Sequence, residues 1–258
     1  MNKMSISLDN YVARSIETVQ GYLSALDAGL IAALLSYQNA NNIVGDLCEV
    51  GVHHGRLFLI LALARRAGDR ALAIDLFEDD AMNANSQHSG RDRALSENAR
   101  RLGIELSEEE LFKTSSLDIN ATDILKRTTS RIRFFSVDGG HTYQHVENDL
   151  CLAERTLSAE GVIAVDDFFS INWADVSFAT YDFLRRTDTL VPFAITSGKV
   201  YLAAPIVAER YKAALSKRAD LGQIACSQVL GKEVITLRRT ALRRGYDSLR
   251  GQIMRRIA

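Results

Sequence analysis

Two patterns of apolar and polar positions take turns between residues 45 and 205. Short runs rich in Val, Ile and Phe are each followed by a longer stretch in which apolar residues recur at helical spacing. The predicted strands are Asp46–Val52, Ala71–Phe77, Leu111–Thr114, Ile132–Val137 and Val162–Val165, and the predicted helices between them are approximately 56–67, 91–102, 119–128, 143–158 and 173–186. Continuous apolar strands separated by helices indicate a parallel sheet that is covered on both faces. We therefore predict a Rossmann-like, doubly wound α/β domain.

Both flanks of this region follow other patterns. Val191–Thr196 and Lys199–Ala203 surround a Ser-Gly pair, which predicts an antiparallel hairpin that closes the mostly parallel sheet. Residues 8–42 have apolar positions at helical spacing and are predicted to be helical. The predicted organisation is a helical lead (1–44), the α/β domain (45–205) and a C-terminal extension (206–258).

The C-terminal extension is basic. Although the 258 residues carry a net charge of −1, residues from 209 onward hold 12 basic and 4 acidic side chains, giving +8 against −9 for the first 208. The pattern predicts a helix near 206–219, an apolar stretch near Ile224–Leu237 and a final Arg-rich helix. The apolar face of that last helix is formed by Leu242, Tyr246, Leu249, Ile253 and Ile257. Such a face favours docking on the same chain or on a second subunit over nucleic-acid binding, so a homo-oligomer through the N-terminal helices or the extension stays open.

Composition restricts the class of protein. A hydrophobic share of 47% and a charged share of 24% are ordinary for a globular chain and argue against disorder. The three cysteines are far apart, so neither a zinc ribbon nor a disulfide framework is indicated. No apolar signal segment follows Met1, and the longest strongly apolar stretch, Leu57–Ala64, is far shorter than the roughly 20 residues of a membrane span. We predict a cytoplasmic protein with no transmembrane segment.

The first strand ends in Glu49-Val50-Gly51-Val52-His53-His54-Gly55, directly before a helix. In doubly wound folds, ligands bind beyond the carboxyl ends of the strands, and glycines there let the backbone approach them closely. The spacing ExGxxxG differs from the GxGxxG of dinucleotide sites, and a tight turn with no ligand would also explain it. Asp75 ends the second strand, where an acidic residue can accept hydrogen bonds from ribose hydroxyls. Together, the loop and Asp75 favour a ligand that contains a nucleoside.

Acidic residues follow the fourth and fifth strands. Asp138 begins Asp-Gly-Gly-His141, and Asp166 and Asp167 follow the last predicted parallel strand. The carboxyl ends of parallel strands lie at one edge of a sheet, so these side chains could converge there. Three adjacent carboxylates repel one another unless a cation is present, and hard oxygen ligands favour Mg²⁺, Mn²⁺ or Ca²⁺. His141 could then act as a general base, whereas the alternative is that the aspartates only cap helices.

This ordered set resembles the class I S-adenosylmethionine-dependent methyltransferases. The matching positions are Glu49-x-Gly51-x-x-x-Gly55, Asp75, Asp138-Gly-Gly-His141-x-Tyr143 and Asp166-Asp167. More narrowly, the set is similar to the metal-assisted O-methyltransferases related to macrocin O-methyltransferase and to the cephalosporin-hydroxylase-like group. The resemblance covers roughly residues 25–205; the bulky His53-His54 pair and the segment 206–258 depart from the family pattern.

The resemblance implies a role for each matching residue. Around S-adenosylmethionine, Glu49, Gly51 and Gly55 would shape the loop, Asp75 would hold the ribose, Ser116 would lie near the adenine and Asp138 would border the cofactor. Asp138, Asp166 and Asp167 would coordinate Mg²⁺. His141 would deprotonate the acceptor hydroxyl. The expected acceptor is a small molecule or a glycan. Two alternatives stay open: a metal-independent methyltransferase with structural aspartates, and a catalytically silent nucleoside-binding or scaffold protein.

Overall fold

The computed structural model describes residues 5–77 and 91–238, with side chains of the second range from residue 92. The first helical segment is broken, so the prediction of one helix over 8–42 is wrong. A short turn α1 (Leu8–Asn10) continues as a π-helical turn (Tyr11–Ser15) and a 3₁₀ turn (Ile16–Thr18), and the long helix α2 (Ala25–Ala40) begins after six non-helical residues.

Two residues explain the break before α2. Ser24 caps the helix, because its side chain accepts a hydrogen bond from the backbone N–H of Asp27. Gly21 has a φ of 155°, and a Cβ there would lie only 2.9 Å from Cβ of Arg56. The extended segment therefore passes close to the chain that follows the first strand, which is possible only without a side chain at position 21.

The predicted order of strands and helices is confirmed, with ends shifted by a few residues. The strands are β1 (Asp46–Val50), β2 (Ala71–Asp75), β3 (Leu111–Lys113), β4 (Ile132–Val137), β5 (Leu157–Val165), β6 (Val191–Ile195), β7 (Val200–Ala203), β8 (Gln223–Val229) and β9 (Lys232–Arg238). The remaining helices are α3 (Phe58–Ala64), α4 (Arg91–Arg101), α5 (Ala121–Arg127), α6 (Tyr143–Thr156), α7 (Ala174–Arg186) and α8 (Pro205–Leu215). The fold is thus a Rossmann-like α/β sheet, as the pattern predicted.

The sheet has the order β3-β2-β1-β4-β5-β7-β6-β9-β8. Strands β1 to β5 pair in parallel, and β7 is antiparallel to both β5 and β6. The chain runs outward from β1 through β2 to β3 and then returns to β4 on the other side of β1. A crevice opens beyond the carboxyl ends of the strands where such an order reverses, and ligands of doubly wound folds bind there.

Register brings the predicted acidic residues to that crevice. Val50 of β1 pairs with Val137 of β4, and Val137 pairs with Val165 of β5. The residues that follow these three valines are therefore neighbours at one edge of the sheet: Gly51, Asp138 and Asp166.

Residues after 205 extend the same sheet. The hairpin β8–β9 lies beyond β6, and β9 pairs in parallel with β6 through Ala194↔Ile235 and Ile195↔Thr236. The helix predicted near 206–219 is α8, and the apolar stretch predicted near Ile224–Leu237 is the hairpin. The predicted Arg-rich helix, with Leu242, Tyr246, Leu249, Ile253 and Ile257, lies outside the described residues.

Helices cover both faces of the sheet. One buried cluster joins the sheet to α2, α3 and α8 through residues such as Leu30, Phe58 and Tyr211. A second cluster on the opposite face includes Cys48 and residues of α6 and α7, such as Leu150 and Phe183. This burial on both faces explains the continuous apolar strands. Among the described helices, none combines the length and the apolar character that a bilayer crossing requires.

Candidate active site

A cleft of about 1030 Å³ opens at the carboxyl ends of the five parallel strands β1 to β5. The predicted site residues that line it are Glu49, Gly51, Asp75, Ser116, Asp138, His141, Asp166 and Asp167. Gly55 is the one predicted site residue outside the lining. The reversal of strand order thus brings residues from five separate strand ends into one cavity of ligand size.

The two glycines of the first loop have different structural reasons. Gly51 has a φ of 83°, and a Cβ there would collide with the backbone carbonyl of Asp138. Gly55 has a φ of 89°, and its Cβ would collide with the side chain of Leu95 in α4. Gly51 therefore allows β1 and β4 to end side by side in the cleft, whereas Gly55 allows α4 to pack on the loop.

Asp75 ties the end of β2 to this loop. Its Oδ2 accepts hydrogen bonds from the backbone amides of Val52, at 2.7 Å, and His53, at 3.0 Å. Its Oδ1 accepts one from the amide of Phe77 at 2.8 Å. A carboxylate has about four lone-pair directions, so Asp75 keeps capacity to accept from ligand hydroxyls while it fixes the loop.

Glu49 lies beneath the loop as a buried carboxyl group. Its side chain is 2% exposed, and its Oε2 has no hydrogen-bond partner among the described residues. Burial raises the pKa of Glu49, as do the charges of Asp75 and Asp166, while the ammonium of Lys199 opposes this. An unsatisfied acceptor in the wall of a cleft indicates a place for a hydrogen-bond donor of a bound molecule.

Ser116 closes the side of the cleft that is next to β3. It begins a 3₁₀ turn, is 6% exposed, and its carbonyl oxygen accepts a hydrogen bond from the Asn148 side chain at 2.8 Å. Ser115 caps the turn by accepting from the amide of Leu117. Ser116 is therefore fixed in the wall by α6. The family resemblance implies that this residue lies near the adenine of the cofactor.

The three aspartates converge, but with different partners. Asp166 lies beside the buried ammonium of Lys199, with Oδ2 at 2.7 Å from Nζ. Although burial opposes it, Lys199 holds the pKa of Asp166 below its usual value. Burial and the neighbouring charge of Asp166 raise the pKa of Asp138. The ionised form is thus concentrated on Asp166, next to the lysine.

His141 contacts the third aspartate at the open side of the cleft. Its Nε2 lies 3.0 Å from Oδ2 of Asp167, and its ring stacks on Trp173 with centroids 4.5 Å apart. Both side chains are about one-third exposed, so they are accessible to a molecule in the cleft. Burial raises the pKa of Asp167, and the charge of Asp166 adds to this.

The donor atoms of this region fit a divalent ion. Asp138, His141 and Asp167 each offer one ligand atom, and these atoms lie within 4.8 Å of one another. Asp166, which the sequence placed in the ligand set, is not in this group among the described residues. Two carboxylates and one imidazole suit Mn²⁺ and related ions, and the two carboxylates alone suit Mg²⁺ with water as the remaining ligands.

Sequence reasoning missed Lys199 and the N-terminal wall of the cleft. Lys199 follows the Ser-Gly turn of the β6–β7 hairpin and is 1% exposed. The only sequence signal was a lysine at the start of an apolar strand. The extended segment Gln20–Ser24 and Asp27 of α2 also line the cleft. Because this segment was predicted to be part of a helix, its place in the wall could not be expected.

Comparisons with known proteins agree with this architecture. Residues 48–168 match the model of a family described as "Methyltransferase domain". No curated protein matches the chain in a sequence search.

Several solved structures share the fold. The O-methyltransferase NovP is 19% identical, with a TM-score of 0.52 over 70% of this chain and 80% of that one. CalS11, a TDP-rhamnose 3'-O-methyltransferase of calicheamicin biosynthesis, is 14% identical, with a TM-score of 0.51 over 76% and 91%. The O-methyltransferase TomG from Streptomyces achromogenes, in complex with SAM, is 14% identical, with a TM-score of 0.51 over 79% and 92%. Residues 48–168 are therefore similar to a methyltransferase domain, and the chain shares its fold with these O-methyltransferases.

Proposed function

We propose that this chain transfers a methyl group from S-adenosylmethionine to a hydroxyl of a small-molecule or sugar-containing acceptor, with His141 as general base and with assistance from Mg²⁺ or a similar ion. The observation that carries the proposal is the position of His141 and Asp167 in the same cleft as Glu49 and Asp75. A base and a nucleoside-binding loop in one cavity are what a transfer reaction between two bound molecules needs.

The cofactor half of the proposal assigns S-adenosylmethionine to the end of the cleft formed by β1 and β2. Asp75 accepts hydrogen bonds from the ribose, the unsatisfied Glu49 carboxyl accepts from a donor of the cofactor, and Ser116 borders the adenine. Gly51 and Asp138 form the floor between them, and Gly55 supports the loop by its packing against α4. The solved structures of TomG with SAM and of a Bacillus cereus O-methyltransferase with SAH support this choice of ligand.

The cofactor supplies a methyl group that is electrophilic because it is attached to a sulfonium. The residues of the chain therefore have to hold the acceptor's hydroxyl oxygen in contact with this methyl group and make that oxygen more nucleophilic. His141 removes the proton of the acceptor hydroxyl through an imidazole nitrogen, an effect worth about 10²–10⁴-fold in rate. Asp167 orients the ring and stabilises the imidazolium that forms, and Trp173 fixes the ring plane.

The ion half of the proposal rests on Asp138 and Asp167. When bound, a divalent ion supplies charge that lowers the pKa of an acceptor hydroxyl and orients it. The ligand set that the family resemblance implies also includes Asp166. His141 is close enough to be a ligand itself, but a nitrogen bound to an ion cannot accept a proton. A given nitrogen of His141 can therefore act as the base or bind the ion, but not both. A measurement of metal affinity distinguishes these two roles.

The acceptor class is proposed from the solved relatives. CalS11 is described as acting on TDP-rhamnose, which supports an acceptor with a sugar hydroxyl. Two alternatives remain to be tested: a metal-independent methyltransferase, in which the aspartates are structural, and a nucleoside-binding protein without catalysis. The cytoplasmic location and the homo-oligomer stay predictions from the sequence.

A radiolabelled methyl-transfer assay against a panel of hydroxylated small molecules tests the proposal. We expect transfer to at least one acceptor, loss of transfer in EDTA and recovery with Mg²⁺. Transfer that persists in EDTA would select the metal-independent alternative. Binding of S-adenosylmethionine without transfer to any acceptor would favour the silent protein.

A further inference from the structure

A buried ammonium group lies at the inner wall of the cleft, beside the candidate ion site. The side chain of Lys199 is 1% exposed, and its Nζ lies 2.7 Å from Oδ2 of Asp166, which is itself 20% exposed. The other oxygen of Asp166, Oδ1, accepts a hydrogen bond from the backbone amide of Asp167 at 2.9 Å. The chain itself therefore engages both carboxylate oxygens of Asp166.

Lys199 is held in place from two sides. Its amide donates to Oγ1 of Thr196 at 2.9 Å, and its carbonyl accepts from the amide of Thr196 at 2.9 Å. The Thr196 hydroxyl donates to Oδ1 of Asp27 in α2 at 2.8 Å, and Asp27 also accepts from the hydroxyl of Tyr201. The turn that presents the lysine is thus attached to α2, which fixes the backbone from which the ammonium reaches Asp166.

The neighbouring aspartate is arranged differently. Asp167 directs a carboxylate oxygen toward His141, and both have ligand atoms within 4.8 Å of one on Asp138. Asp166 is adjacent in sequence but is absent from this group. Its partner is a permanent positive charge, which repels a divalent ion and competes for the same oxygen.

We propose that Lys199 is a positioning residue that keeps Asp166 out of the ligand set of the ion, so that Asp138 and Asp167 supply the carboxylate ligands. The proposal rests on the ion-assisted function above and specifies which of its acidic residues bind. It corrects the simplest interpretation of an Asp-Asp pair, in which both members are ligands. It also explains why a lysine is buried among the four cleft carboxylates Asp27, Glu49, Asp138 and Asp166.

Three variants separate this arrangement from the one in which Asp166 is a ligand. Lys199→Met removes the positive charge and releases Asp166, so we expect Mn²⁺ to bind about tenfold or more tightly. Combining Lys199→Met with Asp166→Asn removes both members of the pair and leaves the local charge balance unchanged; we expect affinity within about threefold of wild type. Asp167→Asn removes a ligand at the adjacent position, and we expect a loss of about tenfold or more.

The measurement is a titration of the full chain with Mn²⁺, in which free Mn²⁺ is followed by electron paramagnetic resonance, with a thermal melt of each variant. An affinity of the double variant as low as that of Asp167→Asn would overturn the proposal, because Asp166 would then be a ligand. A merely structural role for Lys199 predicts a lower melting temperature with no gain in affinity. If Lys199→Met fails to fold, the Mn²⁺ affinities of the double variant and of Asp167→Asn still show whether Asp166 is a ligand.

Failure of this inference is distinguishable from failure of the proposed function. If wild-type chain binds no Mn²⁺ at millimolar concentration, the ion-assisted function and the role of Lys199 fall together. If wild type binds Mn²⁺ and the double variant does not, only the role of Lys199 falls.

Discussion

Nε2 of His141 lies 3.0 Å from Oδ2 of Asp167, across the gap between the loop after β4 and the loop after β5. Asp167 adopts a φ of 54°, a left-handed conformation that is uncommon for residues other than glycine. The backbone carbonyl of Gly198 accepts a hydrogen bond from the amide of Phe168, which anchors the chain directly after this position. The unusual backbone thus places the carboxylate beside the imidazole in the cleft.

Substituting His141→Ala separates the two roles open to this imidazole. If His141 is the general base, kcat should fall by about 10²–10⁴-fold while affinity for S-adenosylhomocysteine and for Mn²⁺ stays within a few-fold of wild type. Steady-state kinetics and calorimetry provide both readouts. Loss of Mn²⁺ affinity would show that the nitrogen is a metal ligand and would contradict the role as base.

Gly51 should be far less tolerant of a side chain than Gly68. Both have a positive φ, 83° and 91°, so alanine is strained at either position by about 1–2 kcal/mol. A Cβ at Gly68 meets nothing within 4 Å, whereas at Gly51 it collides with the carbonyl of Asp138. We expect urea denaturation to show a small loss for Gly68→Ala and a loss at least about 2 kcal/mol larger for Gly51→Ala. Equal losses would mean that β1 and β4 can separate at the cleft without cost.

Asp149 should make stability depend on pH in the direction opposite to that of a salt-bridged carboxylate. Burial in α6 raises its pKa to about 6, and its Oδ2 has no hydrogen-bond partner among the described residues. The folded state holds the proton of Asp149 more tightly than the unfolded state does. The contribution of Asp149 to folding stability is therefore fully favourable below about pH 4 and is lost as pH rises toward 6.

Asp149→Asn removes the ionisable group, and with it the cost of a buried carboxylate at neutral pH. We expect the variant to match wild type near pH 4 and to exceed it by up to about 3 kcal/mol at pH 7, because two pKa units correspond to that energy. Denaturant titrations at several pH values provide the difference, with Asp188→Asn at an exposed position as the matched control. A difference that does not vary with pH would show that folding does not raise the pKa of Asp149.

The sequence was sufficient for the strands because burial on both faces produces continuous apolar runs. All seven predicted strands, from β1 to the β6–β7 hairpin, are confirmed within a few residues, except that β5 begins earlier, at Leu157. The convergence of Asp138, Asp166 and Asp167 followed from the same pattern, since parallel strands that end together place the following residues together.

Long-range pairings were not encoded in any local pattern. The break before α2 depends on the approach of Gly21 to Arg56, and the place of β9 beside β6 depends on an edge that the periodicity does not reveal. The partner of Asp166 lies 33 positions later in a hairpin, so nothing near the Asp-Asp pair indicated that Lys199 would form an ion pair with Asp166.

A calorimetric titration of the full chain with S-adenosylhomocysteine tests the central claim most directly, since it requires neither an acceptor nor an ion. We expect saturable binding at one site per chain. Asp75→Asn should weaken it about tenfold or more, because the substitution places an amide donor against the loop amides of Val52 and His53, and Asp188→Asn should leave it unchanged. No binding to the wild-type chain, or binding that Asp75→Asn does not alter, would contradict the assignment of this cleft to the methyl donor.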